Sequence, residues 1–370
     1  MLKGDFMLLI FGFDKGGVES IIDDQVTSRF KAEQLSSWNL LTRTSARFHH
    51  INRTLTFLWL TGFLIRYLIL LPLRALLFLV GFTVLIIITH ISERIPNPSL
   101  KKRISRAAMP ICMRIICRAF STVITFHNRE NIAKHGGICV ANHTSPIDVM
   151  ILSCDNNYAM VGQRQNGILG FLERTVSKTG DHIWFERSEA GERKKVVDKL
   201  REHVDASKSP IIIFPEGTCI NNTSVMMFKK GAFEVCGVVY PIAMKYDPRF
   251  GDPFWNSSEQ SYGQYLFQMM TSWAIICDVW YLPPMHRLVK ILFLEGCIQP
   301  FMLLQENETS VEFAYRTKTA IARRGGLVEL EWDGGLKRAR VFEAFLLLFS
   351  CCSCSLHFLY LQDELCCTIE

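Results

Sequence analysis

The sequence lacks several features that would place it in common classes of protein. It has no dense stripe of Lys and Arg with interleaved aromatic side chains, which argues against nucleic-acid binding. It has no visible internal repeat and no low-complexity segment. Its N-terminus carries Asp5 and only a brief apolar run, so a cleaved signal peptide is not expected.

Cysteine is not scarce, but an ordered arrangement of cysteines is missing. The 13 Cys residues are irregularly spaced, unlike the disulfide framework of a small secreted domain. No nearby histidines complete a set of zinc ligands, so we expect no metal site. A reduced chain facing the cytosol is the favoured interpretation. Lipid modification is the alternative for the cysteines of the apolar tail, which are Cys351, Cys352, Cys354, Cys366 and Cys367.

Apolar residues are abundant. Of the 370 residues, 49% are hydrophobic, and the mean hydropathy is +0.17. This excess predicts contact with a membrane. The formal net charge of +6 fits a protein that lies beside anionic lipid or holds acidic substrates.

Residues 55–91 are apolar almost throughout and are interrupted near the middle by Arg66, Pro72 and Arg74. A single helix would exceed the thickness of a bilayer, and a proline between two arginines favours a turn. A buried helical pair in a soluble core is disfavoured because so little polar surface remains. We therefore expect a transmembrane or re-entrant helical hairpin, at about residues 57–71 and 75–91.

Basic residues flank this apolar region on both sides. Because cytosolic segments near a membrane are enriched in Lys and Arg, both ends of the hairpin are expected in the cytosol, with residues 1–54 as a cytosolic segment. The flanking residues are Arg43, Arg47 and Arg53 before the region and Arg94, Lys101, Lys102, Arg103 and Arg106 after it.

The pattern changes after the hairpin. Residues 92–135 contain two prolines and a basic cluster, which predicts a linker followed by an amphipathic helix. From residue 136 to 340, short apolar runs alternate with longer amphipathic ones, as in an α/β domain with a mostly parallel sheet flanked by helices. Ligands of such sheets bind beyond the carboxyl ends of the strands. The predicted strands are "GGICVAN", "YAMVGQ", "HIWFER", "SPIIIFPEG" and "VVYPIAMKY".

A histidine and an aspartate follow the first of these strands. His143 could take a proton from a substrate hydroxyl, and Asp148 could orient the ring and stabilise the imidazolium. This is the His-Asp half of a hydrolytic triad without its serine, so the nucleophile would come from the substrate. The pair alone is a weak signal, because a His and an Asp at this spacing often occur by chance.

Other strand ends carry residues that suit an anion. In the turn after the strand "SPIIIFPEG", Gly217 allows backbone N–H groups to approach an anion and Thr218 can donate to a phosphate oxygen, beside Glu216. Arg187 could hold a phosphate with two parallel hydrogen bonds. Lys229 and Lys230 follow at a predicted helix start, although a lysine pair is more often a solvated surface. A turn without a ligand is the alternative for residues 216–218.

Four blocks in this order resemble the glycerolipid acyltransferase superfamily. They are "NHTSPID", "GDHIWFER", "FPEGT" and "VVYPIAM". Longer runs resemble the endoplasmic-reticulum glycerol-3-phosphate acyltransferases of the type 3 and type 4 kind, over roughly residues 55–285 and 312–341. These runs include "FPEGTCINNTSVMMFKKGAFE", "KYDPRFGDPFWNSSE", "MMTSWAIICDVWYLPPM" and "GGLVELEWDGGLKRAR".

The resemblance implies transfer of an acyl group from acyl-CoA, the co-substrate, to the sn-1 hydroxyl of glycerol 3-phosphate, with no cofactor. His143 would be the general base and Asp148 its orienting partner. Arg187 and the Glu216–Gly217–Thr218 turn would bind the acceptor, and Pro241 would shape the acyl-CoA side. The remaining substrate-binding residues would be Lys229 and Lys230.

Two other functions are weighed against this one. An acyltransferase with a lysophosphatidic acid or lysophosphatidylcholine acceptor shares the first and third blocks, but the long run after "FPEGT" favours glycerol 3-phosphate. A catalytically silent lipid-binding or scaffold protein of the membrane is disfavoured by the presence of both His143 and Asp148.

The chain departs from the family pattern in two places. Residues 286–311 form an apolar insertion where an acidic connection is usual. Residues 341–370 form an apolar, Cys-rich tail, in which residues 342–361 predict either a third membrane segment or a splice-derived sequence.

The resemblance and the topology together predict a protein of the endoplasmic-reticulum membrane with its site facing the cytosol. Several glycosylation sequons fall inside the proposed site, where a lumenal location would place glycans in the pocket. They include Asn142, Asn221 and Asn222.

Overall fold

The computed structural model describes residues 25–33, 41, 52–134, 136–164, 167–178, 180–185, 192–206, 209–292 and 304–335. The chain divides into two compact units. The smaller comprises Met1–Lys31 and Trp332–Glu370, and its described part includes a short 3-10 helix at Ser28–Phe30. The larger, Ala32–Glu331, contains every element discussed below.

A mostly parallel sheet forms the centre of the larger unit, as predicted. Its order is β1-β8-β7-β2-β5-β3-β4, with β9 paired to β7. The strands of this sheet are β1 (Thr122–His127), β2 (Ile138–Ala141), β3 (Ala159–Gln163), β4 (Ile183–Phe185), β5 (Ile211–Ile213), β7 (Val238–Asp247), β8 (Ile275–Tyr281) and β9 (Met285–His286). Strand β6 (Ser224–Val225) lies outside it.

Helices cover both faces of this sheet, because alternate residues of its strands contribute to two different hydrophobic clusters. Cys139 belongs to the cluster that contains Ile151 and Tyr265, whereas Val140 belongs to the cluster that contains Phe233 and Phe313. The helices are α1 (Arg53–Glu93), α2 (Pro98–Arg118), α3 (Asp148–Leu152), α4 (Gly167–Ser177), α5 (Glu192–Asp205), α6 (Gly231–Val235), α7 (Tyr262–Thr271) and α8 (Ser310–Gly325).

The sheet begins earlier in the chain than the boundary predicted at residue 136. Strand β1 pairs in parallel with β8, and β8 is antiparallel to β7. Helix α2 also contributes Cys112 and Ile116 to the core of the sheet. The segment predicted as a linker and an amphipathic helix is therefore a structural part of the α/β unit.

The predicted hairpin of residues 57–71 and 75–91 is wrong in one respect, because the described chain has no turn there. Arg53–Glu93 is a single helix of 41 residues, long and apolar enough to cross a membrane. Its middle turn, Ile65–Leu70, is π-helical, and the N–H of Leu71 donates to the carbonyl of Arg66. Pro72 lies two residues after this widened turn, and the helix continues through it.

The two arginines that suggested a turn bind the protein instead. Arg66 and Arg74 are buried. Arg66 donates to the carbonyl of Thr271 at 2.9 Å, and Arg74 donates to the carbonyls of Met270 and Trp273 at 2.7 Å each. These carbonyls lie at the C-terminal end of α7, where a helix has unpaired acceptors and favours positive charge. The arginines thus dock the apolar helix onto the α/β unit.

The atypical insertion is described only in part. Val289–Leu292 (β10) and Leu304–Asn307 (β11) pair antiparallel, and Glu308 next to them accepts a hydrogen bond from the N–H of Leu288 at 2.9 Å. A last short strand, β12 (Val328–Glu329), pairs with β6. The tail at 341–370, with its predicted membrane segment, lies outside the described residues.

Candidate active site

The end of strand β2 holds His143 in a fixed position. All four residues of β2 are buried between β5 and β7. Asn142 continues this pairing with its side chain, because its Nδ2 donates to the carbonyl of Met244 at 2.9 Å and its Oδ1 accepts from the N–H of Met244 at 2.8 Å. The residue after Asn142 therefore leaves the sheet at a defined point.

Asp148, the first residue of α3, is fully buried and faces His143. Its Oδ2 lies 2.9 Å from His143 Nδ1 and also accepts from the N–H groups of Thr144 at 2.8 Å and Ser145 at 2.9 Å. Its Oδ1 accepts from the hydroxyl of Tyr246. Four donors thus surround one carboxylate, which suits its ionised form.

The His143–Asp148 pair has the geometry of a general base. A carboxylate only accepts hydrogen bonds, so Nδ1 carries the proton and Nε2 is the nitrogen that faces other groups. The ring of Phe214 stacks on the imidazole at 4.4 Å between centroids, and Cys219 Sγ lies 3.4 Å from Nε2. Burial opposes the charged ring, but the Cys219 sulfur and the Asp148 carboxylate outweigh it and raise the pKa of His143 well above its ordinary value.

Glu216 is held by the backbone next to His143. Its side chain is fully buried, its Oε1 accepts from the N–H of His143 at 2.7 Å, and its Oε2 accepts from the N–H of Met226 at 2.8 Å. Burial raises the pKa of Glu216 to about 8, against the opposing effect of those two N–H groups. Glu216 therefore supports the backbone of His143, and its contact with the acceptor stays a prediction.

The rest of the predicted anion turn lies beside the dyad. The N–H of Ile220 donates to the carbonyl of His143 at 3.0 Å, which ties the turn to the base. Gly217 has a φ of +70°, and a β-carbon there would lie 2.9 Å from Lys229 Nζ. Glycine adopts this left-handed backbone conformation without strain, and its missing side chain leaves room for the end of Lys229. Thr218 is half-buried next to it.

The remaining predicted site residues do not join this group. Lys230 is 62% exposed and pairs with Glu234 at 2.9 Å along α6, so the lysine pair is divided between the turn and the surface. Pro241 is buried within β7, in register with Val140, and lines no open surface. Its missing N–H is tolerated because β7 changes partner there, from β9 to β8. Arg187 lies outside the described residues.

Known proteins resemble this chain over most of its length. A family model described as "Acyltransferase" matches residues 123–245. The chain is 54% identical over 337 residues to glycerol-3-phosphate acyltransferase 4 of Homo sapiens, covering 91% of this chain and 70% of that protein. It is 52% identical over 345 residues to glycerol-3-phosphate acyltransferase 3 of Xenopus laevis, covering 93% and 74%. The chain belongs to the glycerol-3-phosphate acyltransferase family. It is an acyltransferase, as the sequence blocks predict.

A solved structure is also similar. The 1-acyl-sn-glycerophosphate (LPA) acyltransferase PlsC from Thermotoga maritima aligns with a TM-score of 0.48 at 15% identity, over 69% of this chain and 94% of that one.

Several residues of this acyltransferase site were not identified from the sequence. Tyr246 binds Asp148 across 98 positions of chain, and Asn142 binds Met244 across 102. Phe214 and Cys219 stand within the predicted third block or directly after it, so position alone could have drawn attention to them. No local pattern marks Tyr246, because its partner is chosen by the pairing of β7 with β2.

Proposed function

We propose that this acyltransferase transfers an acyl group from acyl-CoA to the sn-1 hydroxyl of glycerol 3-phosphate, giving lysophosphatidic acid and free CoA. The names of the relatives support the acceptor. The observation that carries the mechanism is the buried Asp148 carboxylate 2.9 Å from His143 Nδ1, which leaves Nε2 as the base.

In the proposed reaction, His143 Nε2 takes the proton of the acceptor hydroxyl as its oxygen attacks the thioester carbonyl. The tetrahedral intermediate then collapses, the carbon–sulfur bond breaks, and the imidazolium returns the proton to the sulfur of CoA. Asp148 stabilises the imidazolium between these two steps. The thioester is already activated, so the protein supplies orientation, proton transfer and stabilisation of the oxyanion.

Several backbone N–H groups near His143 already donate to other acceptors and are excluded as donors to the oxyanion. The N–H groups of Thr144 and Ser145 donate to Asp148, and the N–H of Gly217 donates to the carbonyl of Phe214 at 3.1 Å. We therefore assign the oxyanion to the remaining N–H groups of the 216–218 turn. Because Glu216 is engaged elsewhere, the acceptor phosphate is assigned to Thr218 and Lys229, together with the predicted ligand Arg187.

The protein is proposed to act at the endoplasmic-reticulum membrane from its cytosolic side. Helix α1 supports attachment, since its apolar window has a mean hydropathy of 2.5 and large side chains such as Phe57, Leu68 and Leu79 are exposed. The cytosolic side is supported by Asn142 and Asn222, which are 2% exposed and hydrogen-bonded to strand β7. A glycan added in the lumen before folding would prevent those contacts.

The test uses membranes that contain the wild-type protein, His143→Ala or His127→Ala. His127, at the end of β1, pairs with Asp278 and serves as the control histidine. Each membrane receives acyl-CoA with labelled glycerol 3-phosphate or, separately, with labelled lysophosphatidic acid. From labelled glycerol 3-phosphate we expect labelled lysophosphatidic acid with the wild type and with His127→Ala, and none above background with His143→Ala. Conversion of labelled lysophosphatidic acid to labelled phosphatidic acid, without acylation of glycerol 3-phosphate, would establish the rival acceptor. No transfer to either would exclude acyl transfer to these acceptors.

A further inference from the structure

Tyr246 contacts the carboxylate that faces Nδ1 of His143. Its hydroxyl donates to Asp148 Oδ1, while Oδ2 faces His143. We propose that Tyr246 is a positioning residue of acyl transfer, which sets the plane and the charge of the Asp148 carboxylate and, through it, the imidazole of His143. This proposal rests on the function proposed above.

Asn222, in the segment after the anion turn, holds the backbone of Tyr246 in position. Asn222 accepts from the N–H of Tyr246 at 2.8 Å and donates to its carbonyl at 2.6 Å. Lys245 donates from Nζ to the carbonyl of Asn222 at 2.6 Å. A continuous set of hydrogen bonds therefore leads from the segment after the anion turn, through strand β7, to Asp148 and His143. A shift of that segment would move the phenol relative to the carboxylate.

The phenol is a dependable donor. Tyr246 is 2% exposed. Burial, and after it the charge of Asp148, raises the pKa of Tyr246 well above its ordinary value, so the hydroxyl keeps its proton at physiological pH. A carboxylate that receives this hydrogen bond carries less negative charge toward His143. Without the bond, Asp148 would stabilise the imidazolium more strongly, and the base would lose its proton only at higher pH.

In the part of the chain that the structure describes, the titratable side chains that interact with His143, or with its partners Asp148 and Tyr246, are Asp148, Glu216, Cys219, Tyr246, Tyr265 and Cys277. They belong to α3, the loop after β5, α7, β7 and β8. Replacing the Tyr246 hydroxyl leaves the other five unchanged, so a displaced pH profile reports on this hydrogen bond.

The chain offers a matched control. Tyr265 on α7 is also fully buried, and its hydroxyl lies 2.5 Å from Ser145 Oγ, in the same loop as the dyad. Tyr246→Phe and Tyr265→Phe each remove one buried oxygen and one hydrogen bond to that loop. Only the first of these bonds reaches the Asp148 carboxylate.

The experiment measures kcat, KM for glycerol 3-phosphate and the pH profile of kcat. The proteins compared are the wild type, Tyr246→Phe, Tyr265→Phe and His143→Ala. Size-exclusion chromatography in detergent verifies that equal amounts of folded protein are used. For Tyr246→Phe we expect kcat to fall about tenfold at neutral pH, KM to stay unchanged, and the acidic limb to move up by about one pH unit, as for the loss of a hydrogen bond to a charged group. In Tyr265→Phe the acidic limb of the pH profile should stay at its wild-type position.

A second variant keeps the test independent of any packing defect. Tyr246→3-fluorotyrosine, introduced by codon reassignment, keeps the size of the ring and makes the phenol a stronger donor. Its acidic limb should move to lower pH, opposite to that of Tyr246→Phe. The proposal would be overturned if the acidic limb of the pH profile stayed at its wild-type position in both Tyr246 variants. It would also be overturned if Tyr246→Phe and Tyr265→Phe moved that limb by the same amount.

Failure of the proposed function gives a different result. In that case the wild type would not exceed His143→Ala with glycerol 3-phosphate. The same variants would then be measured with lysophosphatidic acid as the acceptor. The acidic limb of the Tyr246→Phe pH profile, compared with that of the wild type, then tests the role of Tyr246 whichever acceptor is used.

Discussion

Two His–Asp pairs in this protein have the same separation and different surroundings. His143 Nδ1 and Asp148 lie 2.9 Å apart, and so do His127 Nε2 and Asp278. In the first pair the aspartate side chain is 0% exposed and the histidine 18%, whereas in the second pair the values are 41% and 35%. Each histidine ring also stacks on an aromatic ring, Phe214 in the first case and Trp280 in the second.

The comparison shows that two His–Asp pairs with the same distance can differ in how firmly the aspartate is held. Asp148 receives hydrogen bonds from Thr144, Ser145 and Tyr246 in addition to His143, so its orientation is set from several sides. In the described part of the chain, the Asp278 side chain has one hydrogen-bond partner, His127. A solvated pair of this kind contributes little energy and little orientation.

The largest expected difference between the pairs concerns the carboxylates. Asp148→Asn should lower kcat/KM by about 10²-fold or more, because an amide neither stabilises the imidazolium nor holds the same tautomer. Asp278→Asn should leave kcat/KM unchanged. The measurement is acylation of labelled glycerol 3-phosphate in membranes, and equal losses in the two variants would remove the distinction between the pairs.

The pH profile sharpens the same comparison. The raised pKa of His143 means that the base is protonated at low pH and becomes active as pH rises. The acidic limb of kcat/KM should therefore be centred above about 6.5, the ordinary value for histidine. Asp148→Asn should move its residual limb to lower pH, and Asp278→Asn should not. A wild-type limb at or below the ordinary value would contradict the assignment of His143.

Substitutions of the aromatic rings stacked on the two histidines should differ less in their effect on kcat. Phe214→Leu removes the ring that lies against His143, and a few-fold loss of kcat is expected, in keeping with about 1 kcal/mol for such a contact. Trp280→Leu removes the equivalent ring beside His127 and should leave kcat as it is. Both are measured at saturating acyl-CoA. A kcat as low in Trp280→Leu as in Phe214→Leu would show that ring loss acts through general stability.

The smallest effect is expected for the half-buried histidine His127 itself. His127→Gln should change the free energy of unfolding by less than about 1 kcal/mol, the usual range for an ion pair in contact with solvent. Thermal unfolding of detergent-solubilised protein measures this change, with Asp278→Asn as its matched partner. A much larger loss would mean that the pair between β1 and β8 supports the sheet.

The predictions from sequence were most accurate where the signal was local. His143 and Asp148 stand five positions apart after a strand end, and their predicted contact is confirmed. The alternation of apolar runs likewise indicated β2, β3, β4, β5 and β7. Strands β1 and β8 were not identified, because β1 follows a helix and β8 joins the sheet antiparallel to β7.

Predictions that depended on the direction of a side chain were less accurate. Glu216 stands in a turn that suits anions, but its carboxylate turns inward to the N–H groups of His143 and Met226. Arg66 and Arg74 suggested a break in the apolar segment, whereas both donate to carbonyls at the end of α7. In each case the partner lies far away in the chain.

By itself, the sequence determined the α/β class, the apolar segment and the location of the dyad, because strand periodicity, hydropathy and short spacing act within a few residues. Only the tertiary structure decided that Tyr246 would bind Asp148, that Glu216 would brace the backbone of His143, and that α1 would continue past Pro72. These outcomes follow from which distant donors and acceptors are buried together. A buried polar group takes whichever partner the fold brings within reach, wherever that partner stands in the chain.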